Sequence, residues 1–126
     1  MNEKQKARNE DEIKALIAEI ILRRVKDPRV TNVSITRVEA SKDYSVAKIL
    51  YNVVEGGGAD VAAVQKGLDS CKSYIRTQIK KRMHLRVIPE LAFIYDKSLD
   101  RAMKIEELLA EIRREEEERG KEPSDG

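Results

Sequence analysis

CKSYIRTQIKKRMHLRVIP, residues 71–89, carries Lys72, Arg76, Lys80, Lys81, Arg82 and Arg86 with His84 among them, and no acidic residue falls between Asp69 and Glu90. A local field of one sign marks a polyanion partner, because clustered Lys and Arg supply the sequence-independent attraction to phosphates. The stretch is also periodic. Cys71, Ile75 and Ile79 continue an apolar stripe begun by Val61, Val64 and Leu68, so the charges ride on a packed helix. Lys72, Arg76 and Lys80 are four apart and line one side of it, while Lys81 and Arg82 lie around its end. Like charges at that spacing repel, and a solvated face mixes signs, so the pattern favours polyanion binding over plain solubility.

Upstream, Asp60 opens this helix. One continuous helix over residues 60–82 would be about 34 Å long at 1.5 Å per residue. That exceeds what two or three strands need, so a bend is expected, with Gly67, Ser70 and Ser73 as its weak points. Downstream, Leu85 to Pro89 leads into a strand from Glu90 to Tyr95 that is apolar on both faces. Phe93 and Tyr95 read as core, and one Phe with no Trp weighs against the stacking sheet of an RNA-recognition motif. Asp96 or Ser98 can cap a last helix with the stripe Leu99, Ala102, Ile105, Leu109 and Ile112. Beyond it, RREEEERGKEPSDG reads as a frayed helix end and a disordered, solvating tail.

Toward the N-terminus, Gly56-Gly57-Gly58 is a flexible break, and no Gly-Lys-Ser/Thr follows to make it a phosphate loop. Tyr44–Val53 and Val30–Val38 alternate with period two, and the polar link Glu39 to Asp43 is short enough for an antiparallel hairpin. The first helix is capped by Asp11, carries Ile13, Leu16, Ile17, Ile20 and Ile21 on one face, and ends at Asp27-Pro28. Arg23, Arg24, Lys26 and Arg29 follow that face. The helix dipole accounts for one or two of these charges; the four together form a second candidate group of phosphate contacts.

Within 126 residues this predicts a flexible segment 1–9, one domain over 10–112 and a charged tail over 113–126. The net charge of +2 says little by itself, whereas 38% charged and 40% hydrophobic residues describe a well-solvated surface over a modest core. MNEKQKARNEDE has no apolar core of a signal peptide, and no run approaches the roughly 20 apolar residues of a membrane span, so a soluble, cytosolic protein is expected. With Cys71 and His84 each alone, intramolecular disulfides, thiolate-rich metal sites and Ser-His or Cys-His catalysis lack their parts. Asp43, Asp96 and Asp100 fit turn and capping chemistry better than a Mg²⁺ site. The reading is therefore a non-enzymatic binding protein without metal or cofactor, and a monomer, since no strong heptad seam demands a dimer.

Several segments, in this order and spacing, resemble the ribosome-binding factor A family, a KH-like group: Val25-Lys26-Asp27-Pro28-Arg29-Val30; Ser41-Lys42-Asp43 with Ala47-Lys48; Tyr74-Ile75-Arg76; Leu85-Arg86 with Pro89-Glu90-Leu91 and Phe93; and Asp96 with Ser98. The resemblance implies an α+β, type II KH-like fold of order αββααβ with a three-stranded sheet and, here, an extra C-terminal helix. It implies that an interhelical Ala-x-Gly kink replaces the GxxG loop; Cys71, Lys72 and Ser73 stand at those positions. It also implies a factor that binds the immature small ribosomal subunit and its ribosomal RNA late in maturation, often needed for growth in the cold, with a GTPase acting on its release. The competing expectation is a protein-interaction module whose basic face docks an acidic partner without RNA contact.

Overall fold

Ile13, Ile17, Ile20 and Ile21 recur at three and four residues and form the buried face of the first helix, as their spacing requires. The structure is a computed structural model and describes residues 3–30, 32–53 and 60–121. Its elements are α1 (Glu3–Arg23), β1 (Val33–Ala40), β2 (Val46–Val53), α2 (Val61–Arg82), β3 (Glu90–Tyr95) and α3 (Ser98–Lys121). This is the expected α+β arrangement around a three-stranded sheet. The chain divides into two compact units, residues 1–96 and 97–126.

The first helix starts at Glu3 and not at Asp11, which lies inside it. Residues 3–10 are good helix formers, Lys6 and Arg8 stand four residues before Glu10 and Glu12, and Glu10 Oε2 accepts the Ala40 N–H at 2.7 Å. The last contact also occupies an outward amide of edge strand β1.

Strand β2 is central: β1 pairs with it antiparallel from Val33↔Val53 to Ala40↔Ala47, and β3 parallel from Val46↔Glu90 to Tyr51↔Tyr95. Parallel neighbours need a crossover, and α2 supplies it. The simple alternation read for β1 is broken by a bulge at Thr36, where the register passes from Ile35↔Tyr51 to Arg37↔Leu50. Ile35 and Val38, three apart, are consequently both buried. The Thr36 hydroxyl donates to Asp96 Oδ2 at 2.6 Å, joining the bulge to the end of β3.

The hairpin turn is fixed by Asp43, whose Oδ1 accepts from the Ser45 amide and from the Ser41 and Ser45 hydroxyls at 2.7–3.0 Å. Those donors, the Ser45 hydroxyl foremost, hold the carboxyl down at about 2. Tyr44 takes a left-handed φ of 60° in this turn yet is buried.

Helix α1 packs on β1, α2 packs on β3, and the two helices touch. Between them lie Ile13, Ile17, Ile20, Ile49, Tyr51, Leu68, Ile75 and Ile79, all fully buried. Each such side chain contributes about 1.5–3 kcal/mol over its exposed state.

The pair of helices expected around Cys71-Lys72-Ser73 is one uninterrupted helix. No glycine stands there, the stripe Val64, Leu68, Cys71, Ile75, Ile79 needs one helical phase to stay on the core, and the local hydroxyls bond inside the helix. Ser70 Oγ donates to Gly67 O at 2.8 Å and Thr77 Oγ1 to Ser73 O at 2.9 Å. Gly67 serves packing: a Cβ there would lie 2.7 Å from Val30 Cγ2 and 3.1 Å from Arg29 Cβ. Helix α3 continues to Lys121, past the end of its apolar stripe at Ile112. Arg113 with Glu117 and Arg114 with Glu118 stand four apart with opposite charge, which favours continued winding. The glycine triplet and residues 122–126 lie outside the described residues.

Candidate nucleic-acid interface

Four of the predicted cations converge. Lys72, Arg76 and Lys80 on α2, with Arg86 in the segment leading to β3, line an open groove of about 670 Å³. Ser73 and Thr77 add hydroxyls between the charges, and Val87, Ile88 and Leu91 add apolar surface. From the sequence Ser73 was named only as a kink position, and the other four were not recognised as site residues. Only their helical spacing against Lys72 and Lys80 hinted at Ser73 and Thr77, and residues 87–91 reach the groove solely through the fold.

The cations differ in what already holds them. Arg76 donates from Nε to Pro89 O at 3.1 Å and from Nη2 to Ile88 O at 2.8 Å, and its Nη1 lies 3.4 Å from Glu90 Oε1. It clamps the incoming β3 segment onto α2 and thereby sets one wall of the groove. Lys72 Nζ is 3.2 Å from Asp69 Oδ1, one helical turn away. Arg82 Nη1 reaches Glu19 Oε1 on α1 at 3.5 Å. Lys80, Lys81 and Arg86 are exposed and make no ion pair among the described residues. Their ammonium and guanidinium donors face water, the state from which a phosphate can take them at least cost.

The second group is divided in the same way. Arg23, Arg24 and Lys26 are exposed, again without an ion pair among the described residues. Arg29 instead forms a fork on Asp27, with Nε to Oδ1 at 3.0 Å and Nη2 to Oδ2 at 2.6 Å, while its own amide donates to Oδ1 at 2.9 Å. Nη2 also donates to Ser70 Oγ on α2 at 3.2 Å. Hydrogen bonds from the Arg29 side chain, then its backbone, lower the Asp27 carboxyl to about 2, and the same contact raises the Arg29 guanidinium. The turn Asp27–Val30, closed by Val30 N–H to Asp27 O at 3.0 Å, is thus seated on α2 over Gly67.

Among the described residues no three His, Cys, Asp or Glu side chains gather as metal ligands. Asp43 is held by its turn serines and Asp96 accepts from Thr36. Within the same residues, no helix is long and apolar enough to cross a membrane. Chemically, the groove offers exposed cations on a core-backed helix beside a clamped strand entry, which suits an extended polyanion.

The ribosome-binding factor A sequence profile matches residues 5–109. The ribosome-binding factor A of Nitrosospira multiformis is 40% identical over 101 residues, 80% of this chain and 79% of the relative. A solution structure from Thermotoga maritima, a putative ribosome binding factor A, superposes with a TM-score of 0.65 at 33% identity, covering 78% of this chain and 93% of that one. A Thermus thermophilus ribosome binding factor A homology model, fitted into the cryo-EM map of a 30S complex, superposes with a TM-score of 0.58 at 26% identity, covering 73% and 96%. With the family profile spanning most of the chain and the fold shared with its solved members, this protein belongs to the ribosome-binding factor A family.

Proposed function

We propose that this chain is a cytoplasmic ribosome assembly factor that binds the immature small ribosomal subunit through its ribosomal RNA and promotes late maturation and RNA processing without catalysing a step itself. The observation that carries the proposal is the groove between α2 and the segment leading to β3, where Lys80 on the core-backed helix and Arg86 opposite it, with Lys81 nearby, make no ion pair among the described residues. The Thermus relative fitted into a 30S complex supports the same partner. Lys72 and Arg76 join the contact at the cost of loosening Asp69 and Glu90; Arg23, Arg24 and Lys26 form a second set of phosphate contacts, with Arg29 and Arg82 holding the frame. Phosphate contacts position a protein without reading bases, so specificity comes from the shape of the RNA and its protein neighbours.

Crosslinking in cells followed by sequencing of the bound RNA tests this. Reads concentrated on small-subunit precursor RNA, with crosslinked peptides from residues 72–86, are expected. Partners that persist unchanged after nuclease treatment, with no RNA enriched, would replace RNA by an acidic protein as the ligand of the basic face.

A further inference from the structure

Tyr74 carries the one aromatic ring that is exposed among the described residues. Tyr44, Tyr51 and Phe93 are buried, and Tyr95 is half-buried with its ring edge-on to Tyr51. Tyr74 is 41% exposed, lies outside the groove between α2 and β3, and its hydroxyl has no hydrogen-bond partner among the described residues. The core does not need this ring, because Val64, Leu68, Ile75 and Ile79 form the buried stripe on another side of α2.

Helical geometry fixes its surroundings. Lys81 follows Tyr74 within about 20° of two full turns at 3.6 residues per turn, so both side chains leave α2 on the same side. Lys81 is exposed, makes no ion pair among the described residues and, like Tyr74, does not line the groove. One turn before Tyr74, Ser70 Oγ accepts from Arg29 Nη2 at 3.2 Å; about two turns after it, Arg82 Nη1 reaches Glu19 Oε1 at 3.5 Å. The end of α1 and the turn that follows it therefore run alongside this row of α2 in the opposite direction. Between those two anchors stand Arg23, Arg24 and Lys26, the exposed cations of the second group. A flat ring open to water is thus bordered by positive charge along α2 and along α1.

We propose that an unpaired base of the bound RNA stacks on Tyr74, with Lys81 and the α1 cations holding the phosphates beside that nucleotide. The assignment rests on RNA as the ligand of the basic face and names the strand state it takes there. A paired base has its faces covered by its neighbours in the helix, whereas a base in a loop or single strand can be laid on an aromatic ring. Every base has such a face, so the contact selects unpaired RNA and not a sequence. Lys81 belongs to this second face, while Lys80 and Arg86 belong to the groove.

Fluorescence anisotropy with a short, mixed-sequence single-stranded RNA, and with the same strand annealed to its complement, tests the proposal. Tyr74→Leu keeps a bulky apolar side chain on an exposed helical position, and urea unfolding verifies its fold. It should lose about tenfold in affinity for the single strand and less than twofold for the duplex, with the slope of log affinity against log salt unchanged because no charge is removed. Tyr74→Phe should stay within about twofold of wild type on both probes. The chain has no Trp, so Tyr74→Trp supplies a single reporter, whose emission should be quenched by the single strand and not by the duplex. Wild-type binding of the single strand by Tyr74→Leu, or unchanged Trp emission at saturating single strand, overturns the stacking and leaves RNA binding by the groove standing. A wild-type chain that binds neither probe overturns the RNA reading and the stacking with it.

Discussion

Neutralising Lys80, Lys81 and Arg86 together to alanine removes the three basic-stretch cations that make no ion pair among the described residues. Each phosphate contact on a single strand contributes about 0.7 to the slope of log affinity against log salt, and about 0.9 on a duplex. The triple variant should therefore lose about two to three units of slope. At roughly 0.1 M salt each contact is worth about fivefold in affinity, so the combined loss is about a hundredfold. Arg76→Ala should behave differently. It leaves the carbonyls of Ile88 and Pro89 without their donors, which costs about 1–3 kcal/mol of stability, while the slope changes by no more than about one unit. The assay is fluorescence anisotropy with labelled small-subunit precursor RNA in a KCl series, paired with urea unfolding of each variant. If the triple variant keeps the wild-type slope while Arg76→Ala, fully stable, removes most of it, the division between clamping and free cations is wrong.

Gly67→Ala tests the seat of the Asp27–Val30 turn. The helix gains about 1 kcal/mol in propensity, but a Cβ at 2.7 Å from buried Val30 and 3.1 Å from Arg29 Cβ forces overpacking of about 1–3 kcal/mol, so urea unfolding should show net destabilisation. Asp27 has its folded carboxyl at about 2 against an ordinary 3.8, so its contribution is complete above about pH 4 and fades as pH falls through 2. A carboxyl titration by NMR should show this value and its return toward 3.8 in Arg29→Ala. Ser73→Gly, which installs the glycine of the family kink, should cost about 0.5 kcal/mol because the position is helical, and a stability gain would show that α2 prefers to break there.

The hairpin, the bounds of β3 at Glu90 and Tyr95, and the core faces of α1 and α2 were legible because each is a local period of apolar residues. The bulge at Thr36 was hidden, since it exists to meet Leu50 and Asp96 and leaves the composition of β1 unchanged. Local propensity also misplaced two boundaries. Asp11 looked like a cap, yet the contact of Glu10 with Ala40 favours a helix that has already begun, and α3 outlasts its apolar stripe where opposite charges recur four apart. Helix length and Gly67, Ser70 and Ser73 suggested a bend, and the resemblance a helix pair at Cys71-Lys72-Ser73, whereas the continuous stripe allowed the single helix that is present.

By itself the sequence determined that this protein has a cationic helix face backed by core, because charge and a 3.6-residue stripe are both written in neighbouring residues. Which cations remain available was decided only by tertiary structure. Arg82 meets Glu19 from 63 residues away, Arg29 meets Ser70 from 41, and Arg76 closes on Ile88 and Pro89 across the turn into β3. A charge is a property of a residue, but its freedom to bind depends on the groups that folding brings within hydrogen-bonding distance of it.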